Sequence, residues 1–177
     1  MGKSPEPKST TTMTVPLIPA DPEPLRRLYG DFPGLDEFRL RSINIDRAGP
    51  SLTLRIDLLD FPAHPPEDWV ANQCDVVQCH IHFLAVDQLA LGEWNPSTRA
   101  RLTTTPTAEP RMIDVSVRGP GVSLDFQSHE QVTIRHISGF RMAPDGSDEV
   151  PHHFLSKLDA RRFSTIPRTY EKTFYAR

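Results

Sequence analysis

The chain has 177 residues and a formal charge of −3, with 37% of its residues hydrophobic and 24% charged. That length suits one domain, which buries roughly 70% of its unfolded surface and needs no disulfide or metal to fold. The near-balanced charge excludes a generally basic nucleic-acid binder, and no apolar run approaches the roughly 20 residues needed to cross a membrane.

Residues 1–20 are rich in Ser, Thr, Pro and Lys and read as a mobile tail, with Met13 as an alternative start. The N-terminus has no apolar core region of the signal-peptide kind. A single mainly β domain is expected over 21–177. It opens with a short helix: Asp21 as N-cap, Pro22 in the first turn, Leu25 and Leu28 as the apolar stripe, Gly30 as the stop. From there the pattern is β. FRLRSINI at 38–45 is strand-like, and its apolar parity slips between Leu40 and Ile43, which predicts a bulge near Arg41 and Ser42. Residues 46–50 form a hairpin loop. In SLTLRIDL (51–58), Leu52, Leu54, Ile56 and Leu58 alternate with Thr53, Arg55 and Asp57. The alternation returns at 76–84, with Val77, Cys79, Ile81 and Phe83 on one face and Gln78, His80 and His82 on the other.

Further strands are expected at 86–93, 99–104, 111–118, 122–127 and 131–141. Gly119-Pro120-Gly121 turns 111–127 into a hairpin. A helix is expected at 151–162 with Phe154, Leu155 and Leu158 inward, and TYEKTFYAR closes as a final strand or strapped tail. Eighteen prolines against nine glycines indicate stiff loops between strands. The fold class is therefore mainly β (α+β): an antiparallel sheet or sandwich of hairpins, with a short N-terminal helix and one helix near the C-terminus.

Charge is unevenly spread. Between Asp57 and Arg99 there is no lysine or arginine, while seven acids stand there: Asp57, Asp60, Glu67, Asp68, Asp75, Asp87 and Glu93. A local field selects partners more than net charge does. The stretch is suited to a basic partner, and a solvated rim produces the same pattern. Asp57 falls on the polar face of a strand. Asp60, Glu67 and Asp68 fall in a proline-rich loop, and Asp75, Asp87 and Glu93 at strand ends. Trp69 and Trp94 flank the stretch, either as interface anchors if exposed or as core or lid residues if not. The basic run at 157–172 (Lys157, Arg161, Arg162, Arg168, Lys172) is expected to lie near the acids within the molecule, since it lacks the aromatic interleaving of a nucleic-acid strand.

Motifs for chemistry are few. There is no GxSxG elbow, no glycine-rich phosphate loop, and no cysteine beside a base in a helix-start setting. His80 and His82 project from one strand face and are the candidate metal pair, with His129, His136 and Glu130 as possible additions. The other reading is polar side chains on a solvated face. His152 and His153 are expected at the surface. Cys74 and Cys79 match neither a zinc knuckle nor a redox pair, so reduced thiols and a cytoplasmic location are expected.

Several phrases form a larger pattern: LRRLYGDFPGLDEF at 25–38, INIDRAGPSLTLRIDLLDFP at 43–62 with PPEDW at 65–69, CHIHFLAVDQLALGEW at 79–94, GPGVSLDF at 119–126 and the closing EKTFYAR. Together they resemble the immunity protein 50 family over roughly residues 25–177. Those are small bacterial proteins encoded beside polymorphic toxins, and their role is to neutralise the cognate toxin. The resemblance implies a protein that binds a toxin domain without catalysis; no cofactor is expected, and charge and hydropathy leave neither nucleic acid nor membrane as an expected partner. It transfers no functional residue. From the charge pattern, Asp57, Asp60, Glu67, Asp68, Trp69, Asp75, Asp87, Glu93 and Trp94 are the candidate toxin-binding residues. Two other functions fit the residues alone: a metal-dependent β-fold enzyme centred on His80 and His82, and a small-ligand-binding β module.

Overall fold

The computed structural model describes residues 13–170. Residues 13–20, expected in a mobile tail, instead run along the sheet. Ile18–Pro19 (β1) lies parallel to the strand at 131–140, and Val15 donates its N–H to the Thr104 carbonyl at 3.1 Å. Thr104 Oγ1 donates to the Val15 carbonyl in return, and Leu17 is buried. Residues 1–12, and the closing residues 171–177 with Lys172, lie outside the described residues.

The first helix, Glu23–Tyr29 (α1), has Pro22 in the N-cap position expected for Asp21 and otherwise follows the expected signals. Asp21 Oδ1 accepts the Glu23 N–H at 3.1 Å, and Leu25 and Leu28 are buried. Gly30 ends it at φ +79°, a conformation glycine adopts without a Cβ penalty.

Phe38–Asp46 (β2) and Ser51–Leu58 (β3) form the first hairpin, with a register shift between Leu40 and Ser42. The bulge returns Ile43 to the core and leaves Arg41 on the opposite face from Leu40. Glu67–Ala71 (α2) precedes Val76–Leu84 (β4), which pairs with β3 along its length. Asp87–Trp94 (β5), Thr98–Pro106 (β6), Met112–Gly119 (β7), Val122–His129 (β8) and Gln131–Phe140 (β9) follow. His153–Phe154 (β10) adds to β9, and Lys157–Arg162 (α3) is the last helix.

The strand order is β1-β9-β4-β3-β2-β6-β7-β8-β5, antiparallel except for β1 beside β9. Only Ala85 and Val86 separate β4 from β5, yet β5 sits at the far end of this order beside β8. The sheet therefore curls over its own apolar face. Phe83 of β4 meets Phe126 of β8 edge-on, with ring centroids 5.0 Å apart. Leu52, Leu54 and Ile56 of β3, Ile81 of β4, Val115 and Val117 of β7 and Leu124 of β8 fill the space between. Each such side chain, fully enclosed, contributes roughly 1.5–3 kcal/mol.

The other face of β3, β4 and β9 is not solvated as the alternation suggested. Segment 141–170 covers it. Asp148 accepts from Gln78, Arg41 donates to the Gly146 carbonyl at 2.8 Å, and Ile166 and Pro167 are buried. The helix expected over 151–162 is only its second half. Residues 153–154 pair as a strand with Ser138 and Gly139, and Ser156 then caps α3 through the Asp159 N–H. The buried residue of α3 is Asp159, while Leu158 is exposed.

Candidate functional site

β3 and β4 run antiparallel with Leu58 opposite Val77, so the chain leaves one and enters the other at the same end of the sheet. The connection carries Asp60, Glu67, Asp68 and Asp75, all exposed. α2 sits within it. Pro66 starts the helix, its carbonyl accepting from Trp69 and Val70 N–H at 2.9 and 3.2 Å. Glu67 and Asp68 occupy the first turn, where acids complement the helix dipole.

Trp69 holds this connection in place. It is 1% exposed, so it is a core residue and presents no surface to a partner. Its indole Nε1 donates to the His153 carbonyl at 2.8 Å, and Phe61 lies beside it at 6.2 Å between ring centroids. The ring rests on Gly139 of β9, where an added Cβ would stand 2.6 Å from Trp69 Cδ2. Trp94 is different: it is 37% exposed, opposite Val122 at the end of β5.

Asp57 does not join the exposed acids. It is 1% exposed, with its Oδ2 2.6 Å from Arg41 Nη2 and its Oδ1 accepting from Gln78 Nε2 at 2.6 Å. Burial pushes its carboxyl above the ordinary range, against the pull of Arg41 and Gln78. Asp148 closes the cluster from the covering segment, 2.8 Å from Gln78 Nε2 and 3.5 Å from Arg55 Nη1. Burial works to raise its carboxyl too, but Gln78, Arg55 and Arg41 outweigh it and hold it low. Asp87 starts β5, beyond the opposite end of β4, whereas Trp94 stands on the register that runs from Val122 and Gly119 through Ala100 and Phe38 to Leu58, so Asp87 lies away from the α2 end and Glu93 toward it.

The histidines take partners of other kinds. His80 is buried edge-on to His136 at 5.1 Å, and burial, with His136, Arg55 and Arg135, pushes its pKa down to about 3. His82 Nδ1 is 2.9 Å from Thr53 Oγ1. His136, at φ +52°, stands 3.2 Å from Asp159 Oδ2 but out of line for a hydrogen bond. Glu130 pairs with Arg111, and His129 accepts the Gln131 N–H. Among the described residues no group of three His, Cys, Asp or Glu side chains is placed to hold a metal ion. His152, expected at the surface, is buried and stacked on Phe140 at 4.5 Å, bonded to Ser138 Oγ at 2.8 Å. Both cysteines are free and buried, and burial pushes the Cys79 thiol up to about 12.

The family model of immunity protein 50 matches residues 21–140. The chain belongs to the immunity protein 50 family. No curated protein and no solved structure matches it. The matched span takes in α1 to β9, including α2 and its acids, and stops where the covering segment begins.

Within this immunity protein 50 member the gathered acids are not equivalent. Asp68 Oδ2 is 3.0 Å from His153 Nδ1, and its Oδ1 accepts from Asn72 Nδ2. Asp75 Oδ1 accepts the Met142 N–H at 2.8 Å. The carboxylates of Asp60 and Glu67 have no hydrogen bond or ion pair among the described residues, although the Asp60 carbonyl accepts from Tyr29 OH at 2.9 Å. In the basic run, Arg168 pairs with Glu149. Beside the acids stand two exposed apolar side chains, Leu59 at 37% and Val70 at 61%. Sequence reasoning passed over both, because single apolar residues in a proline-rich acidic loop have no periodicity.

A separate cleft of about 630 Å³ lies between α1, β9 and the start of α3. Glu23, Arg27, Arg135, His136, Leu155 and Asp159 are among its lining residues. Its volume is in the small-molecule range, and it is where a small-ligand module would take its ligand.

Proposed function

We propose that this immunity protein 50 member neutralises a cognate bacterial toxin domain in the cytoplasm by stoichiometric binding, without catalysis, through the acidic end of its sheet. The observation that supports the reading is the gathering of Asp60, Glu67, Asp68 and Asp75 at one end, on a connection without a lysine or arginine. A basic toxin surface is steered toward such an end, and steering acts mainly on the association rate. Asp57 and Trp69 contribute from inside, by holding the sheet and α2. Glu93 and Trp94 stand exposed at the end of β5, and Asp87 stands exposed at its start.

The test is charge reversal of Asp60, Glu67 and Asp68 to lysine together, with the toxin domain encoded beside this gene as partner. The triple variant is expected to keep its circular dichroism spectrum and to lose about tenfold or more in association rate at low salt. Binding that survives the triple change at low salt places the interface elsewhere.

A further inference from the structure

We infer that Val70 and Leu59 are the apolar anchors of this surface, with Asp60 and Glu67 as its uncommitted charges. The partner face it fits has lysines or arginines set around an apolar recess. The inference rests on the reading of the acidic end as the toxin-binding surface, and it assigns roles within it.

Interfaces place desolvated apolar residues centrally and charges at the rim. Val70 is the most exposed of the large apolar side chains on this connection, and it lies one turn along α2 from Glu67. Leu59 and Asp60 follow the end of β3, and Phe61 brings that chain against Trp69, the residue before Val70. The two stretches that carry these apolar and acidic side chains are therefore held to each other by Phe61 and Trp69. Trp69 is pinned by Gly139 and the His153 carbonyl, and Cys74 N–H closes on the Trp69 carbonyl at 2.9 Å. A fixed surface loses less entropy on binding.

The charges sort in the same way. Asp68 and Asp75 are engaged within the molecule, whereas the carboxylates of Asp60 and Glu67 have no partner among the described residues and can take a partner cation. A second copy of this chain is the poorer occupant. A two-fold interface brings the same patch from both copies together and sets these carboxylates against each other.

The experiment uses the full chain and the catalytically silenced toxin domain encoded beside its gene, with association and dissociation rates measured across salt concentrations. Val70→Gln with Leu59→Gln is expected to raise the dissociation rate about tenfold. Asp60→Asn with Glu67→Gln is expected to slow association and flatten its salt dependence, while Asp68→Asn leaves both within about twofold. Val70→Ile is the control for a fold effect, with an unchanged melting temperature. If the lysine triple variant weakens binding but the glutamine pair stays within twofold, the anchor assignment is wrong and the acidic surface stands. If neither changes binding, both are wrong. Concentration-dependent dimerisation abolished by Val70→Gln assigns the patch to self-association and overturns the inference.

Discussion

Asp57 carries its carboxylate in a place solvent does not reach, and Arg41 accounts for its being tolerated there. A buried charge that loses its partner is left with its full desolvation penalty, about 3–5 kcal/mol. Asp57→Asn is therefore expected to lower unfolding free energy in a urea titration by less than that amount, because the Arg41 guanidinium loses its nearest carboxylate but keeps Asp148 at 4.0 Å and the Gly146 carbonyl. A methionine at both positions should cost less than the two single changes summed, since neither charge is then stranded. Alternation along 51–58 was enough to put Asp57 on the polar face. That the face is covered was not legible there, because the cover comes from Gly146 and Asp148, about 90 residues on. The same holds for Gln78, His80 and His152, whose environments are made by a segment with little periodicity of its own.

At the scale of elements, α2 shows how a short helix escapes a pattern search. Five residues give a single turn, too few for a 3.6-residue repeat, and only Pro66 and the acids after it mark a start. Its position is set by the fit of Trp69 over Gly139. Gly139→Ala places a methyl group in the indole ring and is expected to destabilise by about 1–3 kcal/mol through overpacking. Faster amide exchange should appear over 67–74 ahead of the sheet, and toxin binding should weaken with it. Protection unchanged across that segment would mean that Trp69 does not hold it. The eight long strands, by contrast, were nearly all readable, because all but the exposed β5 have a core-facing row of period two. α3 came out shorter than its apolar residues suggested, because pairing of Phe154 with Ser138 held that stretch extended until Ser156.

For the whole molecule, the covered polar face makes stability depend on pH. His80, His82 and His152 are all held below the ordinary 6.5 by burial, His80 down to about 3. Their folded forms resist protonation while the unfolded chain accepts it, so the unfolded state binds more protons below pH 6.5. Their contribution is fully present above that value and is lost as pH falls below it, for His80 on down toward 3 at as much as about 1.4 kcal/mol per pH unit. Asp57 acts in the opposite sense, since its folded carboxyl takes a proton before the unfolded one does. Urea midpoints at pH 7.5, 5.5 and 4.5 should fall steadily, and His80→Gln should flatten the decline. A level midpoint across that range would show that these rings are hydrated in solution.

The strap at residues 15–20 sets a clock as well as a contact. Its hydrogen bonds go to Thr104 on one side and to Glu130 and Val132 on the other. The first described stretch of chain therefore waits on the ribosome for partners about 90 to 110 residues behind it. At roughly 5–20 residues per second that delay is on the order of ten seconds. For that interval the edge of β9 is unmade and the nascent sheet has no seam. A chain cut short before Gln131 carries the strap with no β9 edge for it to lie on.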